Sequence, residues 1–309
     1  MPLQIYQQTC KCGCDVETEM DSETKFLRIK CQNCGQILFF KINEYRVIGH
    51  LGSGGMGCVY QVKNIHQQKF AMKVIENPSQ KILDHFMREC MIQSQLDHKN
   101  IVKSHGQGHY GTIYYIVMEY LSGKSLDVLL KKYHAFPVRD AAKIILSVLG
   151  GLNYAHEQFD LVHRDIKPGN IFLTKDNEVK ILDLGLAKAV GVSYGLTAEG
   201  AIKGSPSYMP HEQFLETKNV DIRADIYAIG ATFYHLLAGV KPFNGLNITQ
   251  TVVAKSQDSY IPLDEINSDL PSKIVSIVKK AMSFAPEDRY QNPQQMLSEL
   301  LDVYSDLAK

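Results

Sequence analysis

One eight-residue segment, residues 163–170, brings together a histidine, two long cations, a carboxylate and an amide. It reads His-Arg-Asp-Ile-Lys-Pro-Gly-Asn, and apolar residues stand directly before and after it. These flanks predict two buried anchors, so the polar residues are expected on a short loop fixed at both ends. Thirteen residues past Asn170, a second apolar run ends at Asp183. Asp165, Asn170 and Asp183 therefore form an oxygen-donor set of the kind that hard divalent cations prefer.

A glycine-rich segment lies earlier in the chain, at residues 52–57, and reads Gly-Ser-Gly-Gly-Met-Gly. Strand patterning is found on both sides of it, over 45–51 and 58–64. A dinucleotide-binding fold would need a helix after these glycines, whereas the β-branched and aromatic residues Val59 and Tyr60 indicate a strand. The glycines are therefore expected to join two strands.

A third strand is predicted over 69–75, and it carries Lys73 between two apolar residues. Alternation along a strand places Lys73 on the opposite face from those neighbours. A helical pattern follows over 80–96 and includes Glu89.

Together, the glycine-rich hairpin, the strand lysine and the loop at 163–170 resemble the motifs of the eukaryotic-like (Hanks-type) serine/threonine protein kinases of bacterial type. The resemblance extends over about residues 44–305. It implies an α+β, bilobal protein-kinase fold over 43–309, with a β-rich N-lobe (43–121) and a helical C-lobe (122–309). It also implies that the chain transfers the γ-phosphoryl group of ATP to serine and threonine hydroxyls of a protein substrate.

The resemblance gives each polar residue of the loop a role. Asp165 would orient the attacking hydroxyl, and Lys167 would neutralise the transferred phosphoryl group. Asn170 and Asp183 would hold Mg²⁺ (or Mn²⁺). A lysine two places past the aspartate is typical of serine/threonine rather than tyrosine members of the family.

ATP is the cofactor that the resemblance implies for the remaining site residues. Lys73 would contact the α- and β-phosphates and would be fixed there by an ion pair with Glu89. The other residues expected to contact the nucleotide are Leu51, Gly52, Ser53, Gly54, Gly55, Gly57, Val59, Ala71, Met118, Glu119, Leu121 and Phe172.

The family pattern also predicts contacts in the C-lobe. An activation segment would extend over 186–212, and Glu212 at its end would pair with Arg289. Asp225 begins a segment that is apolar almost all round, which indicates a buried helix. Asp225 would accept backbone amides of the loop at 163–170.

Regulation by phosphorylation follows from Arg164, which in this family often receives a phosphate of the activation segment. Thr197 is the preferred acceptor, with autophosphorylation expected to raise activity, and Ser193 and Tyr194 are the next candidates. The alternative is that all three are solvated loop hydroxyls.

Three positions depart from the family pattern: Gln93 where an apolar residue is usual, Leu184 where phenylalanine is usual, and His211 where proline is usual. They favour the alternative of a pseudokinase scaffold that recruits a partner. The presence of every catalytic residue favours an active enzyme. A small-molecule kinase on the same fold is the further alternative, against which the segment 204–212 indicates a peptide-binding platform.

Residues 1–42 contain five of the seven cysteines in the chain. Such clustering without a secretory signal favours metal binding over disulfides. Two cysteine pairs, each followed by glycine, with short strands predicted over 26–30 and 37–42, resemble a zinc ribbon with structural Zn²⁺. The preferred ligands are Cys10, Cys12, Cys31 and Cys34. Cys14 in place of Cys10 or Cys12 stays open, as does a disordered tail with reduced thiols.

Charge and hydropathy limit the partners and the location. Lys+Arg and Asp+Glu both number 33, so bulk attraction to nucleic acid or to an anionic membrane is not indicated. No apolar run is long enough to span a bilayer, and the N-terminus lacks the features of a signal peptide. We therefore expect a cytoplasmic protein. Its partners would be a protein substrate and, through the zinc ribbon, a second protein.

Overall fold

The computed structural model describes residues 4–9, 15–20, 28–30, 33, 37–39, 41–54, 57–183, 206–215, 220–243 and 248–307. The chain divides into two compact units. The first comprises Met1–Lys81 and Ser104–Leu121, and the second comprises Ile82–Lys103 and Ser122–Lys309. Within the described ranges, no helix combines the length and the apolar character that crossing a bilayer requires.

Two antiparallel hairpins begin the chain. β1 (Gln4–Thr9) pairs with β2 (Asp15–Met20), and β3 (Arg28–Lys30) pairs with β4 (Ile37–Phe39). β3 covers the described part of the strand predicted over 26–30, while β1 and β2 were missed because they are mostly polar. The cysteines predicted to bind zinc lie outside the described residues.

The remainder of the first unit is a six-stranded antiparallel sheet in the order β5-β6-β7-β8-β10-β9. Its strands are β5 (Lys41–Ile42), β6 (Tyr45–Gly54), β7 (Gly57–Lys63), β8 (Lys69–Glu76), β9 (Ser104–Tyr110) and β10 (Ile113–Glu119). The strands predicted around the glycine-rich segment are confirmed as β6, β7 and β8. One face of the sheet carries a cluster of buried residues that includes Tyr60, Val62, Met72, Val74, Tyr115 and Val117.

The second unit is mainly helical. Its helices are α1 (Gln80–Gln93, from Ile82 onwards), α2 (Leu126–Tyr133), α3 (Val138–Phe159), α4 (Glu212–Leu215), α5 (Arg223–Ala238), α6 (Ile248–Ser256), α7 (Leu263–Ile266), α8 (Ser272–Ala281) and α9 (Pro293–Asp306). A three-stranded sheet is formed by β11 (Gly123–Ser125), β12 (Ile171–Thr174) and β13 (Val179–Ile181). A β-rich first unit and a helical second unit agree with the predicted α+β class.

Helices α3 and α5 form the centre of the second unit's core. α3 buries an apolar stripe with helical spacing, which includes Ile145, Val148, Leu149 and Leu152. α5 is buried on almost every side because its sequence is apolar all round. The few polar side chains of α5 are buried with it, and a buried polar group normally needs a hydrogen-bond partner.

Candidate active site

The predicted site residues fall on both units, and each unit is described separately. In the first unit, the cross-strand register brings five of the predicted site residues side by side. Gly52 lies opposite Val59, Val59 lies opposite Lys73, and Ala71 lies opposite Met118. Residues directly opposite each other share a face of the sheet, as do residues two apart on one strand. These five residues therefore lie on one face, and the buried cluster lies on the other.

Lys73 is only 8% exposed, and its neighbours Met72 and Val74 point to the opposite face, as the alternation predicted. Met118 is also buried, whereas Leu51 is exposed beside an irregularity in the register of β6 and β7. Glu119 ends β10 and Leu121 ends the first unit. The sheet therefore presents a lysine and a strip of small or apolar residues on one face.

The glycine-rich hairpin closes tightly. Gly54 pairs with Gly57, and the two residues between them, including Gly55, lie outside the described part. Gly57 has a φ of 147°, and a Cβ there would run into the carbonyl of Val74. Ser53 is the cross-strand partner of Cys58, and their side-chain oxygen and sulfur are 3.5 Å apart. Glycine is therefore required at position 57 by the packing of β7 on β8.

In the second unit, Asp225 holds the backbone of the loop at 163–170. The amides of His163 and Arg164 donate to its two carboxylate oxygens at 2.6 and 2.7 Å. Asp225 lies in the first turn of α5 and is completely buried. Burial raises the pKa of its carboxyl, while electrostatic interactions with His163 and Arg164 and the two amide hydrogen bonds oppose that rise. Arg164 has a left-handed backbone with a φ of 64°, so Asp225 stabilises a strained turn.

His163 connects this loop to the segment before Asp183. Its Nδ1 accepts the amide hydrogen of Asp165 at 3.2 Å, so the ring proton belongs on Nε2. Nε2 lies 3.2 Å from the carbonyl oxygen of Leu182, to which it donates. The histidine is fully buried, and both ring nitrogens are used within the fold, so its role is structural.

The carboxylate of Asp165 is held by two side chains of the same loop. Lys167 Nζ donates to both oxygens at 2.9 and 3.2 Å, and Asn170 Nδ2 donates to one of them at 2.9 Å. Asn170 Nδ2 also donates to the backbone carbonyl of Asp165 at 2.9 Å. Both amide hydrogens of Asn170 are thus used, which fixes its Oδ1 in the role of an acceptor.

Asp183 is brought beside Asn170 through the backbone. The amide of Leu182 donates to the carbonyl of Asn170 at 2.8 Å. Asp183 itself has a φ of 45°, a conformation that aspartate tolerates better than most residues. Phe172, the last predicted nucleotide contact, lies on β12 opposite Lys180. Asp165, Lys167, Asn170 and Asp183 therefore lie on adjacent loops of one unit.

The predicted pair between Glu212 and Arg289 is confirmed. Arg289 Nη1 and Nη2 lie 2.6 and 3.1 Å from the two oxygens of Glu212. The Arg289 side chain is fully buried and also donates to the carbonyls of Ser283, Arg223 and Phe284. All five of its N–H donors are therefore used.

His211, the departure from the family pattern, stacks on the ring of Phe284 at 3.7 Å between ring centroids. Its Nδ1 lies 3.2 Å from an oxygen of Glu212. Burial lowers the pKa of His211, and Arg289 and Lys255 lower it further, while Glu212 raises it. The substitution is thus accommodated by stacking and leaves the pair of Glu212 and Arg289 intact.

Two supporting residues were missed from the sequence. Gln213 donates to the carbonyl of Arg164 at 2.8 Å and so ties the start of α4 to the loop. Lys255 on α6 donates to the carbonyl of Met209 at 2.6 Å. The only signal for Lys255 was the apolar run that precedes it on the helix. Leu184, Ser193, Tyr194, Thr197 and the start of the segment 204–212 lie outside the described residues.

Comparisons with known proteins agree on one family. A family model described as "Protein kinase domain" matches residues 45–301. A probable serine/threonine-protein kinase of Clostridium perfringens is 32% identical over 85% of this chain and 39% of its own length. The tyrosine-protein kinase MasK of Myxococcus xanthus is 35% identical over 80% of this chain and 41% of its own length. This chain thus spans about two fifths of the length of these relatives.

Among solved structures, the kinase domain of PknI from Mycobacterium tuberculosis superposes with a TM-score of 0.66. It is 26% identical to this chain, and the match covers 85% of this chain and 96% of that domain.

Proposed function

The chain belongs to the protein kinase family, in its bacterial serine/threonine (Hanks-type) branch, and from that premise we propose that it is an active enzyme. It transfers the γ-phosphoryl group of ATP to serine and threonine hydroxyls of proteins. The observation that carries this proposal is the loop at 163–170. Asp165 is held there by Lys167 and Asn170, on a backbone fixed by Asp225.

Asp165 orients the acceptor hydroxyl. Its carboxylate accepts the hydroxyl hydrogen while the hydroxyl oxygen attacks the γ-phosphorus. The bond from that phosphorus to the bridging oxygen then breaks, ADP leaves, and the proton passes to Asp165. Because Asn170 and Lys167 fix the carboxylate from two sides, little reorganisation is needed when the acceptor binds.

Lys167 supplies positive charge to the transferred group. Its ammonium contacts Asp165 at 2.9 Å, so a phosphoryl group approaching Asp165 also approaches this cation. The transferred group spreads negative charge over its oxygens, and a nearby cation stabilises that charge. A lysine two places past the aspartate is typical of the serine/threonine members of the family, so we expect serine or threonine acceptors, although one relative is named a tyrosine-protein kinase.

A divalent cation, Mg²⁺ or Mn²⁺, fits the donor set of Asn170 and Asp183. The amide of Asn170 is fixed by its two donated hydrogen bonds, which leaves Oδ1 as an acceptor. Asp183 adds a carboxylate, and oxygen ligands of this type suit both ions. When bound, the cation would neutralise charge on the phosphates of ATP.

The strip on the sheet of the first unit is our candidate for nucleotide contacts. Lys73 would bind the α- and β-phosphates, with Glu89 as its ion-pair partner. Backbone amides of residues 52–57 would bind phosphate oxygens, since glycine allows close approach. The backbone of Glu119 and Leu121 would meet the adenine, with Leu51, Ser53, Val59, Ala71, Met118 and Phe172 around it.

The test is transfer of labelled phosphate from ATP with Mg²⁺ to the chain itself and to casein. We expect Asp165→Ala to abolish labelling while a fluorescent ATP analogue still binds. Asp176→Ala, which changes an exposed acid of the same unit, is the matched control and keeps activity. Phosphoamino-acid analysis separates serine and threonine from tyrosine as acceptors. A wild-type chain that binds ATP without labelling any protein would instead support the pseudokinase scaffold.

We also propose that residues 1–42 form a zinc ribbon. The paired hairpin ends at Thr9 and Asp15, and at Lys30 and Ile37, support it, because each pair encloses one cysteine group. Four thiolates at two hairpin turns suit tetrahedral Zn²⁺, with Cys10, Cys12, Cys31 and Cys34 as the preferred ligands. The ribbon would bind a partner protein. Metal analysis should find one zinc per chain, lost in Cys31→Ser; a metal-free wild type would contradict the ribbon.

Activation would come from autophosphorylation at Thr197. Arg164 supports this, because it lines a surface cavity of about 480 Å³ together with Arg223 and His156, although the acids Asp160 and Asp221 line the same cavity. ATP is an intracellular metabolite, so we expect the kinase domain in the cytoplasm. Mass spectrometry should find phosphate at Thr197, and Thr197→Ala should reduce activity. Full activity of Thr197→Ala, with no phosphate at that site in wild type, would refute this mode of activation.

A further inference from the structure

Helix α6 carries a lysine that the chemistry described above does not use. Lys255 is only 2% exposed. Its ammonium donates to the carbonyl of Met209 at 2.6 Å and to the hydroxyl of Tyr227 at 3.0 Å. The rings of Tyr227 and Phe243 have their centroids 4.5 and 4.7 Å from Nζ. In the part of the chain that the structure describes, no carboxylate forms an ion pair with it.

Such a cation is expensive to bury. Removing an ammonium from water costs free energy unless charged groups, dipoles or aromatic faces replace the water. Burial lowers the pKa of Lys255 well below its ordinary value, Arg289 lowers it further, and Glu212 opposes that shift. A methionine of similar length would avoid this cost, so stability alone does not account for a lysine here.

What Lys255 holds is the end of the activation segment. Ser207 Oγ donates to the carbonyl of Phe243 at 2.8 Å, which ties the segment to the turn before α6. Tyr208 Oη is hydrogen-bonded to Nδ1 of His235 at 2.6 Å. Lys255 adds the next attachment, at the main chain of Met209. Three consecutive residues are therefore fixed, each to a different group.

The attachment at Met209 differs in kind from the one at Glu212. Arg289 binds a side-chain carboxylate, whereas Lys255 binds a backbone carbonyl and so fixes the course of the main chain itself. The two cations share a support, because the ring of Tyr227 lies 4.5 Å from Lys255 Nζ and 5.0 Å from Arg289 Cζ. Tyr227 belongs to the buried helix α5, so Lys255 and Arg289 pack against the same helix.

We propose that Lys255 is a positioning residue for the protein acceptor: it fixes the main chain at Met209 and thereby shapes the surface that receives the peptide. The inference rests on the proposed function, because it takes residues 206–212 as part of the acceptor platform. Lys255 touches neither ATP nor the reacting atoms. Replacing Lys255 should therefore weaken binding of the protein acceptor and leave the rate of phosphoryl transfer from ATP to water unchanged.

The test uses the full chain and three variants. Lys255→Met removes the charge and both hydrogen bonds, and Lys255→Arg keeps a charged donor. Lys280→Met is the matched control, since Lys280 also lies over a tyrosine ring, at 4.2 Å from that of Tyr290, but is half-exposed and pairs with Glu299 on α9. For each, kcat and KM are measured with casein and with ATP, together with ATP hydrolysis without acceptor and the melting temperature.

We expect Lys255→Met to raise the KM for casein about tenfold, which corresponds to about 1.4 kcal/mol. The KM for ATP and the rate of hydrolysis should stay within about twofold of wild type, and the melting temperature should not fall. Lys255→Arg should raise the KM for casein less than Lys255→Met, and Lys280→Met should leave it unchanged.

Two results would overturn the proposal for Lys255 and leave the proposed function intact. One is an unchanged KM for casein in Lys255→Met, beside a wild type that labels casein. The other is a parallel loss of casein labelling, ATP hydrolysis and melting temperature, which would make Lys255 merely structural. A wild type that labels no protein would overturn the proposed function, and this inference with it.

Discussion

Replacing Arg289 with methionine should destabilise the chain in a manner that depends on pH. Arg289 is fully buried and uses all five N–H donors, two of them on Glu212. Removing one partner of a buried ion pair costs about 3–5 kcal/mol, because the other charge is left uncompensated. Glu212 is 24% exposed, so we expect the lower end, about 3 kcal/mol. With a urea m-value of about 3 kcal/mol/M, the unfolding midpoint should fall by about 1 M.

The pH dependence comes from His211, whose Nδ1 lies 3.2 Å from Glu212. In the wild type, burial and Arg289 both lower the pKa of His211, and Glu212 raises it. Without Arg289, the pKa of His211 rises. A histidine whose folded-state pKa rises gains stability at low pH and loses it as the pH increases through that pKa. The deficit of Arg289→Met, meaning its loss of unfolding free energy relative to wild type, should therefore be smaller at pH 5.5 than at pH 8, by about 1 kcal/mol.

The assay is urea unfolding of wild type and variants at both pH values, with two controls. Arg289→Met combined with His211→Asn should show the same loss of stability relative to His211→Asn alone at both pH values, because neither of those two chains carries a histidine beside Glu212. Arg223→Met removes an arginine whose pair with Asp221 is exposed, at 30% and 51% of the two side chains, and should cost less than about 1 kcal/mol. A deficit below about 1 kcal/mol for Arg289→Met, or one that does not change with pH, would refute the reasoning.

Three further predictions concern Asp225, His235 and Gly57. Asp225→Asn should lower the free energy of unfolding by about 2 kcal/mol in urea unfolding, because one loop amide would face the new NH₂ group. In kinetic assays, kcat should fall while ATP still binds. Burial and the charge of Lys241 lower the pKa of His235 to about 4 in the folded chain. As the pH falls, His235 is therefore protonated in the unfolded chain before it is protonated in the folded chain. Stability should therefore fall by about 2 kcal/mol between pH 6.5 and 4, allowing for partial exposure, and His235→Gln should flatten that slope. Gly57→Ala should cost about 2 kcal/mol or more by urea unfolding, whereas Gly52→Ala, whose Cβ would meet nothing within 4 Å, should cost much less.

Local patterns in the sequence were sufficient to locate the loop, the strands around the glycines and the buried helix. Each depends on the spacing of apolar residues or on a short motif, so neighbouring residues carry the signal. Family resemblance added the long-range partner of Glu212, at Arg289. Lys255 and Gln213 could not be found in this way, because their partners are backbone carbonyls. Any residue type presents a carbonyl, so the sequence around Met209 and Arg164 carries no mark of the contact.

Within the second unit, the buried helix α5 connects the loop at 163–170 to the segment at 206–212. Asp225 in its first turn fixes the loop that carries Asp165, while Tyr227 and His235 support the segment that ends at Glu212. Asp225 and His235 are ten positions apart, which in a helix is about 15 Å. Phosphoryl transfer needs the acceptor and the carboxylate at a fixed separation, and a helix packed on every side cannot easily stretch or bend. Under the proposed function, the all-round apolar sequence of α5 therefore serves the site as well as the fold, because it keeps the helix that joins the loop to the segment packed on almost every side.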